Sequence, residues 1–255
     1  MNYIISADTD IGNTKNVNQD SYNVRVYSSE GKKVVFAILC DGMGGYSKGE
    51  LASASVVNAF VKWTENNLSY IFNKIELDDV IIHDWNAIIN EYNYKIKTHG
   101  DQLGIKLGTT LTAMLLTDNK YYIANVGDTR AYEMIHNAHV ITRDQSVVAK
   151  EVELGHITPE QAEHDPRRSV LLQCIGASAK VKPDFYINEI KKNAVYMLCT
   201  DGFRHEISAE EIFTNLCPER MLNEFDMKAQ IRALIDLDKS RQETDNITAI
   251  CVRTF

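Results

Sequence analysis

Residues 20–45 have the sequence DSYNVRVYSSEGKKVVFAILCDGMGG, in which two largely apolar runs of similar length flank a short polar stretch. The runs SYNVRVY (21–27) and KVVFAILC (33–40) predict β-strands, and the polar residues between them predict a tight turn. Because the strands of a hairpin are antiparallel, Asp20 before the first strand should lie beside Asp41 after the second. This stretch therefore predicts a hairpin with a pair of carboxylates at its open end.

The rest of the chain predicts a strand-rich fold with helices in blocks. Apolar or alternating runs indicate further strands at Tyr3–Ala7, Thr109–Leu116, Tyr121–Val126, Ala131–Ile135, Asp184–Ile187, Val195–Cys199 and Ile247–Val252. Helical periodicity extends over Glu50–Asn66, Val80–Ile96 and Asp226–Leu237. Because the helices do not alternate one for one with the strands, we expect an α+β fold with antiparallel sheets.

A segment between Asp144 and Gly176 has a different pattern, with short helical pieces separated by helix-ending and helix-starting residues. Gly155 is expected to end one helix, and Thr158-Pro159-Glu160-Gln161 to begin another as a capping box with proline in its first turn. We interpret this segment as a small inserted subdomain. No low-complexity stretch or linker marks a boundary elsewhere, so residues 1–255 are expected to form a single domain.

Composition and charge exclude several classes of protein. The formal net charge of −8 disfavours nucleic acid as a partner, since no concentrated basic face is evident. No stretch approaches the roughly 20 apolar residues of a membrane span, and the first ten residues do not resemble a signal peptide. The odd number of cysteines and the lack of a C-x-x-C pair indicate reduced thiols. We therefore expect a soluble cytoplasmic protein that does not bind membranes.

Aspartates recur where the predicted strands end or begin. Asp41, Asp128 and Asp201 follow apolar strands, whereas Asp20 and Asp245 precede strands. In an antiparallel sheet these two arrangements place the carboxylates along one edge. Two bare carboxylates about 4 Å apart repel by roughly 4 kcal/mol near a protein surface, so the cluster requires cations or protons.

The ligand types indicate which cations these would be. Oxygen ligands without histidine or cysteine favour Mg²⁺ or Mn²⁺, and the carbonyl of Gly42 is free to contribute because that residue has no side chain. Two such ions ~3.5–4 Å apart can share a bridging water, activate it and hold it for in-line attack on phosphorus. The sequence thus predicts hydrolysis of a phosphoester.

Six short motifs occur in order along the chain: Asn18-Gln19-Asp20, Asp41-Gly42-Met43-Gly44-Gly45 with Gly49-Glu50, Gly108-Thr109-Thr110, Gly127-Asp128-Thr129-Arg130, Thr200-Asp201-Gly202 and Asp245-Asn246. The series resembles that of the bacterial PPM-type (protein phosphatase 2C-like) metal-dependent protein serine/threonine phosphatases. The resemblance implies a central β-sandwich of two antiparallel sheets flanked by helix pairs, in four layers αββα, with a helical flap at about residues 145–175.

The resemblance also implies the roles of individual residues. Asp41 would bridge two Mn²⁺ or Mg²⁺ ions and Gly42 would offer its carbonyl to one of them. Asp201 and Asp245 would hold the other ion, and Asp20 would act mainly through coordinated water. Asp128, together with Asp201, matches the site of a third, weaker ion. Asp41, Asp201 and Asp20 are thus the expected catalytic residues. The implied substrates are proteins phosphorylated on serine or threonine by a cognate kinase, and the enzyme is expected to be a monomer.

Two departures from the family pattern leave parts of the site open. Lys15 stands where the family usually has a phosphate-binding arginine, so it is the candidate phosphate ligand, but an ammonium cannot form a two-pronged grip; an exposed lysine without a role is the alternative. Met43 and Tyr46 stand where family members often have histidine. His205 and Glu206 are therefore possible replacements as general acid, although a histidine near a strand end is more often solvated.

Two other functions remain alternatives to a protein phosphatase. The substitution by Lys15 is compatible with a catalytically weak protein that binds and regulates phosphoproteins. A phosphatase acting on a small phosphoester would retain the same metal ligands.

Overall fold

The computed structural model describes residues 1–44, 48–73 and 77–255. Their strands are β1 (Tyr3–Asp10), β2 (Asp20–Ser29), β3 (Lys32–Gly44), β4 (Leu107–Thr109), β5 (Leu111–Leu116), β6 (Lys120–Val126), β7 (Arg130–Met134), β8 (Ala138–Val140), β9 (Asp184–Glu189), β10 (Val195–Cys199) and β11 (Ile247–Thr254). The helices are α1 (Gly49–Asn66), α2 (Leu68–Phe72), α3 (Leu77–Leu103), α4 (Val147–Glu153), α5 (Pro159–Glu163), α6 (Ala209–Leu216) and α7 (Glu224–Ser240), with a 3₁₀ turn at Asp201–Phe203.

The strands form two antiparallel sheets. One sheet has the order β1-β11-β10-β7-β8, and the other has the order β2-β3-β5-β6-β9, with the short β4 paired to the end of β3. Strands β2 and β3 form the predicted hairpin, in which Asp20 lies opposite Asp41. Glu30 and Gly31 at its turn both have positive φ angles, as a two-residue type I′ turn requires.

Strand β3 is covered on both of its faces, which explains its continuous apolar sequence. Val35, Ala37 and Leu39 face the other sheet, where they belong to the core that fills the sandwich. Phe36 and Ile38 point the other way, into a core shared with helices α1 and α3. The alternation of side chains along one strand therefore joins two layers of the fold.

Helices cover both outer faces of the sandwich. On the β2-β3 side, Trp85 of α3 is fully buried and packs edge to face against Phe36, Phe60 and Trp63. On the other side, α6 and α7 bury apolar residues such as Ile231 against β10 and β11. This is the predicted αββα architecture. No described helix is long and apolar enough to cross a membrane.

The inserted helical segment has its helix-ending and helix-starting residues where the sequence predicts them. Helix α4 is followed by Gly155, which has a φ of 72°, in the left-handed region. Helix α5 begins with the capping box of Thr158 and Gln161 and has Pro159 in its first turn. Two backbone hydrogen bonds hold the ends of the insert together, from the N–H of Val147 to the carbonyl of Val170 and from the N–H of Leu172 to the carbonyl of Gln145.

Some boundaries differ from the predictions. The predicted strand Thr109–Leu116 is divided at Thr110 into the end of β4 and the whole of β5. The backbone N–H of Thr110 donates to the carbonyl of Asp41. The glycine-rich motif that begins at Asp41 is extended as far as Gly44, because β3 continues there in pairing with β4. Gly45 and Tyr46 lie outside the described residues. Helices α3 and α7 are longer than their apolar periodicity indicated, and α6 was not predicted.

Candidate active site

Asp20 and Asp41 form the centre of the site, at the edge of the sheet where the β2-β3 ladder begins. Oδ2 of Asp20 accepts a 2.5 Å hydrogen bond from the hydroxyl of Thr248, and Oδ1 is buried without a hydrogen-bond partner among the described residues. Burial raises the pKa of Asp20 to about 7, and the negative charges of Asp201 and Asp245 add to this effect. A cation would therefore stabilise this carboxylate.

Asp41 is held by its backbone, which leaves its carboxylate available. Its N–H donates to the hydroxyl of Thr110 at 2.9 Å, and its carbonyl accepts from the hydroxyl of Thr109 at 2.9 Å. Burial, followed by the charge of Asp20 and those of neighbouring aspartates, raises the pKa of Asp41 well above its usual value. The structure thus explains the Gly-Thr-Thr motif as a clamp on Asp41.

Gly42 follows Asp41 at a point of close backbone approach. A Cβ at this position would lie 2.3 Å from the carbonyl oxygen of Gly49 and 2.6 Å from that of Gln19. The residue is glycine because three backbone segments meet here, and not because a turn requires it.

Asp201 and Asp245 reach the site from the other sheet. Asp201 follows β10, and its Oδ1 accepts from the N–H of Gly202 at 2.7 Å. Asp245 precedes β11, and its Oδ1 accepts from the N–H of Asn246 at 2.7 Å. The amide oxygen of Asn246 accepts from the N–H of Gln19 at 2.9 Å, so the two sheets are tied together beside the aspartates.

Lys15 lies among these carboxylates. Its Nζ is 2.8 Å from Oδ1 of Asp245, and its side chain is 39% exposed. Burial alone would lower the pKa of Lys15, but the hydrogen bond with Asp245 and the charges of Asp41 and Asp201 raise it. The structure therefore brings Lys15 to the predicted site, in contact with a predicted metal ligand.

The edge of the sandwich that carries Asp20, Asp41, Asp201 and Asp245 is the rim of the site. Asp128 lies farther along this rim, where it is 5% exposed. Burial, with the charge of Asp201, raises the pKa of Asp128 well above its usual value. Its carbonyl accepts a 3.0 Å hydrogen bond from Arg204, which also contacts Asp144 at 3.1 Å. Asp144 in turn makes two 2.8 Å hydrogen bonds with Arg130.

Several residues that build this rim were not identified from the sequence. The role of Arg204 was missed, since an arginine after Thr200-Asp201-Gly202 gives no signal of the distant Asp144. His205 is not solvated, because its side chain is only 10% exposed and its Nε2 lies 3.5 Å from Oδ2 of Asp201. His205 thus differs from the solvated histidine that is more common near a strand end, and its side chain contacts a predicted metal ligand.

The donor set suits hard divalent cations, because all predicted ligands are oxygen atoms. Within the described ranges, no three His, Cys, Asp or Glu side chains converge into a ready-made metal site. Mg²⁺ keeps several of its waters, so carboxylates that do not converge directly would hold the ion partly through water. The unpartnered Oδ1 of Asp20 and the raised pKa values of Asp20 and Asp41 further indicate a place for positive charge.

Comparisons with known proteins show which proteins this chain is similar to. The family model of protein phosphatase 2C matches residues 12–236. The serine/threonine phosphatase stp of Listeria innocua is 30% identical over 249 residues, covering 96% of this chain and 93% of that protein. The structure of the serine/threonine phosphatase Stp1 from Staphylococcus aureus matches with a TM-score of 0.84 at 27% identity, covering 98% of this chain and 94% of that one.

A further solved structure contains metal. The catalytic domain of the serine/threonine protein phosphatase PstP, in complex with two manganese ions, matches with a TM-score of 0.78 at 26% identity, covering 99% of each chain. Since the family model spans most of the sequence, this chain belongs to the protein phosphatase 2C family.

Proposed function

We propose that this protein is a Mn²⁺- or Mg²⁺-dependent protein serine/threonine phosphatase, with residues 1–255 as one catalytic domain. The observation that carries the proposal is the pairing of Asp20 with Asp41 beside Asp201 and Asp245, in a chain of the protein phosphatase 2C family. The related proteins named serine/threonine phosphatases support phosphoserine and phosphothreonine proteins as the substrates.

The rim aspartates would hold the metal ions. Asp41 and the Gly42 carbonyl would bind one ion, Asp41 with Asp201 and Asp245 would bind the second, and Asp20 would act through water. Asp128 with Asp201 would hold a third ion. When bound, the ions would supply the positive charge that activates water for attack on phosphorus.

The protein's own groups would orient the substrate and preserve the geometry. Lys15 is partly exposed and close to Asp245, so its ammonium can turn toward a phosphate that enters above the aspartates. Thr109 and Thr110 keep the Asp41 backbone fixed, which holds its carboxylate toward the rim. Because an ammonium acts as a point charge, we expect weaker phosphate binding than an arginine would give.

We further propose that the protein is a cytoplasmic monomer that reverses the action of a serine/threonine kinase. All five cysteines are free thiols, which is consistent with a reducing compartment.

The decisive experiment measures phosphate release from a phosphothreonine peptide and from small metabolite phosphates, with Mn²⁺ or with EDTA. We expect Mn²⁺-dependent hydrolysis, faster on the peptide, that Asp201→Asn abolishes. Preference for the small esters would indicate a metabolite phosphatase. Peptide binding without any turnover would indicate the phosphoprotein-binding regulator.

A further inference from the structure

Glu243 is a buried acid directly beside the proposed metal ligands that the mechanism above does not use. Its side chain is 1% exposed. Its Oε1 accepts two backbone hydrogen bonds, from the N–H of Thr244 at 2.7 Å and from that of Asp245 at 2.8 Å. One oxygen atom of Glu243 therefore fixes the backbone from which the Asp245 carboxylate projects.

The second oxygen of Glu243 faces His205, and the other side of the His205 ring faces Asp201. Oε2 lies 3.3 Å from Nδ1 of His205, and Nε2 of the same ring lies 3.5 Å from Oδ2 of Asp201. The side chains of His205 and Asp201 are 10% and 6% exposed, so the connection is shielded from water. Neither Oε2 of Glu243 nor Nδ1 of His205 has a hydrogen-bond partner among the described residues, so their contact is electrostatic. His205 thus lies between two buried carboxylates, that of Glu243 behind Asp245 and that of Asp201.

The backbone before Glu243 adopts a costly conformation to bring this side chain inward. Gln242 has a φ of 70°, in the left-handed region that non-glycine residues rarely occupy. The N–H of Gln242 donates to the carbonyl of Lys239 and that of Glu243 to Asp238, so the end of α7 holds this turn. Backbone strain of this kind persists where the surrounding structure requires it, often at functional sites.

Apart from the 2.8 Å contact of Lys15 with Asp245, the other support of Asp201 and Asp245 is local. Each accepts a hydrogen bond from the N–H of the following residue, which fixes one oxygen but does not set the distance between the two carboxylates. The groups behind metal ligands orient them, and loss of such a group typically weakens metal binding ~10–100-fold. The Glu243–His205 pair is placed to perform that role for both aspartates at once.

We infer that Glu243 and His205 are positioning residues that hold Asp201 and Asp245 at the separation a shared divalent cation requires. The inference rests on the proposed function, because it needs Asp201 and Asp245 to be metal ligands. The Glu243–His205 pair should therefore affect the affinity for the metal ion and should not contact the phosphoprotein.

The test is titration calorimetry of Mn²⁺ into the EDTA-stripped, desalted full chain. We expect the Kd for Mn²⁺ to rise about 10-fold or more in Glu243→Ala and in His205→Asn. Glu243→Gln keeps an oxygen for the two N–H donors but loses the charge facing His205, so it should fall between these variants and the wild type. Glu151→Ala is the matched control, since Glu151 pairs with His156 at 3.0 Å on the exposed surface of the insert. Its affinity should equal that of the wild type.

Two further measurements separate positioning from a general loss of structure. At saturating Mn²⁺ the Glu243→Ala variant should recover kcat, with the KM for a phosphothreonine peptide unchanged. The double variant Glu243→Ala with His205→Asn should lose no more affinity than the worse single variant, because both substitutions break one connection.

The outcomes distinguish this inference from the proposed function. A wild type that binds no Mn²⁺ would overturn both. A wild type that binds Mn²⁺, together with unchanged affinity in the folded variants, would overturn this inference alone. If Glu243→Ala does not fold, His205→Asn and Glu243→Gln decide the question by the same criterion.

Discussion

Asp20 and Asp41 lie directly opposite each other in the β2-β3 hairpin, so two carboxylates from adjacent strands share one partly enclosed space. Burial raises the pKa of Asp20 to about 7 and raises that of Asp41 well above its usual value. In the metal-free protein the folded state therefore holds protons that the unfolded chain has released. Protonation of these two carboxylates therefore favours the folded state at low pH. This stabilisation is lost as the pH rises from about 4 toward 7 and above.

Asp41→Asn should consequently stabilise the protein in EDTA while it destroys activity. The substitution removes one of the repelling charges, so the melting temperature in EDTA should increase, and more at pH 8 than at pH 5. Phosphatase activity with Mn²⁺ should fall by roughly 100-fold or more, because the proposed bridging ligand is lost. Asp101→Asn on the exposed surface of α3 is the control and should change neither property. Activity near that of the wild type would contradict the assignment of Asp41.

Lys15→Arg should lower the KM for a phosphopeptide with little change in kcat. A guanidinium can donate two parallel hydrogen bonds to a phosphate, whereas the ammonium of Lys15 donates as a point charge. Steady-state kinetics with saturating Mn²⁺ would measure the change, and Lys62→Arg on the exposed face of α1 serves as the control. An unaltered KM would instead favour a lysine that only neutralises Asp245.

The sequence was sufficient to predict the hairpin and the carboxylate pair, because both depend on strand length and on local order along the chain. The strands that carry Asp201 and Asp245 were likewise recognisable as apolar runs that end or begin with an acid. The sandwich itself could be expected only from the resemblance, since periodicity does not specify which sheets face each other.

Other features could not be predicted because they depend on contacts between distant segments. The extension of β3 through Gly44 requires pairing with β4, and the interruption at Thr110 arises from its hydrogen bond to Asp41. The pairing of His205 with Glu243 joins residues far apart in the sequence, and neither residue belongs to a recognisable pattern. Such contacts become visible only when the fold is known.

Asp144→Ala should destabilise the protein strongly. Burial would raise the pKa of Asp144, but the charges of Arg204 and Arg130 lower it, so the ion pairs contribute stability that is lost as the pH falls through the lowered pKa. Removing this carboxylate leaves two largely buried guanidinium groups without their partner, at a cost of ~3–5 kcal/mol. Urea unfolding at pH 7 measures the loss.

The control for Asp144→Ala is Glu91→Ala, which breaks an exposed i,i+4 pair with Lys95 on α3. Exposed pairs of this kind contribute only ~0.3–0.5 kcal/mol. If the two variants lose similar free energies of unfolding, Asp144 does not offset the buried charges of Arg130 and Arg204.

Asp238→Asn should change how stability depends on pH. Asp238 in α7 is fully buried, and burial, with the charge of Glu243, raises its pKa to about 8. The unfolded chain releases this proton near pH 4, whereas the folded protein keeps it up to about pH 8, so the acid destabilises the fold increasingly across that interval. Asparagine cannot titrate, and the variant should gain stability relative to the wild type between pH 5 and pH 8.

The measurement for Asp238 is the free energy of unfolding in urea at several pH values, with Asp236→Asn of the same helix as the control. Asp236 has a side chain that is 63% exposed, so its substitution should shift stability by a small amount at every pH. For Asp238→Asn the difference from the wild type must grow with pH, because only the wild type loses a buried proton. A difference that stays constant from pH 5 to pH 8 would mean that Asp238 is already ionised in the folded protein.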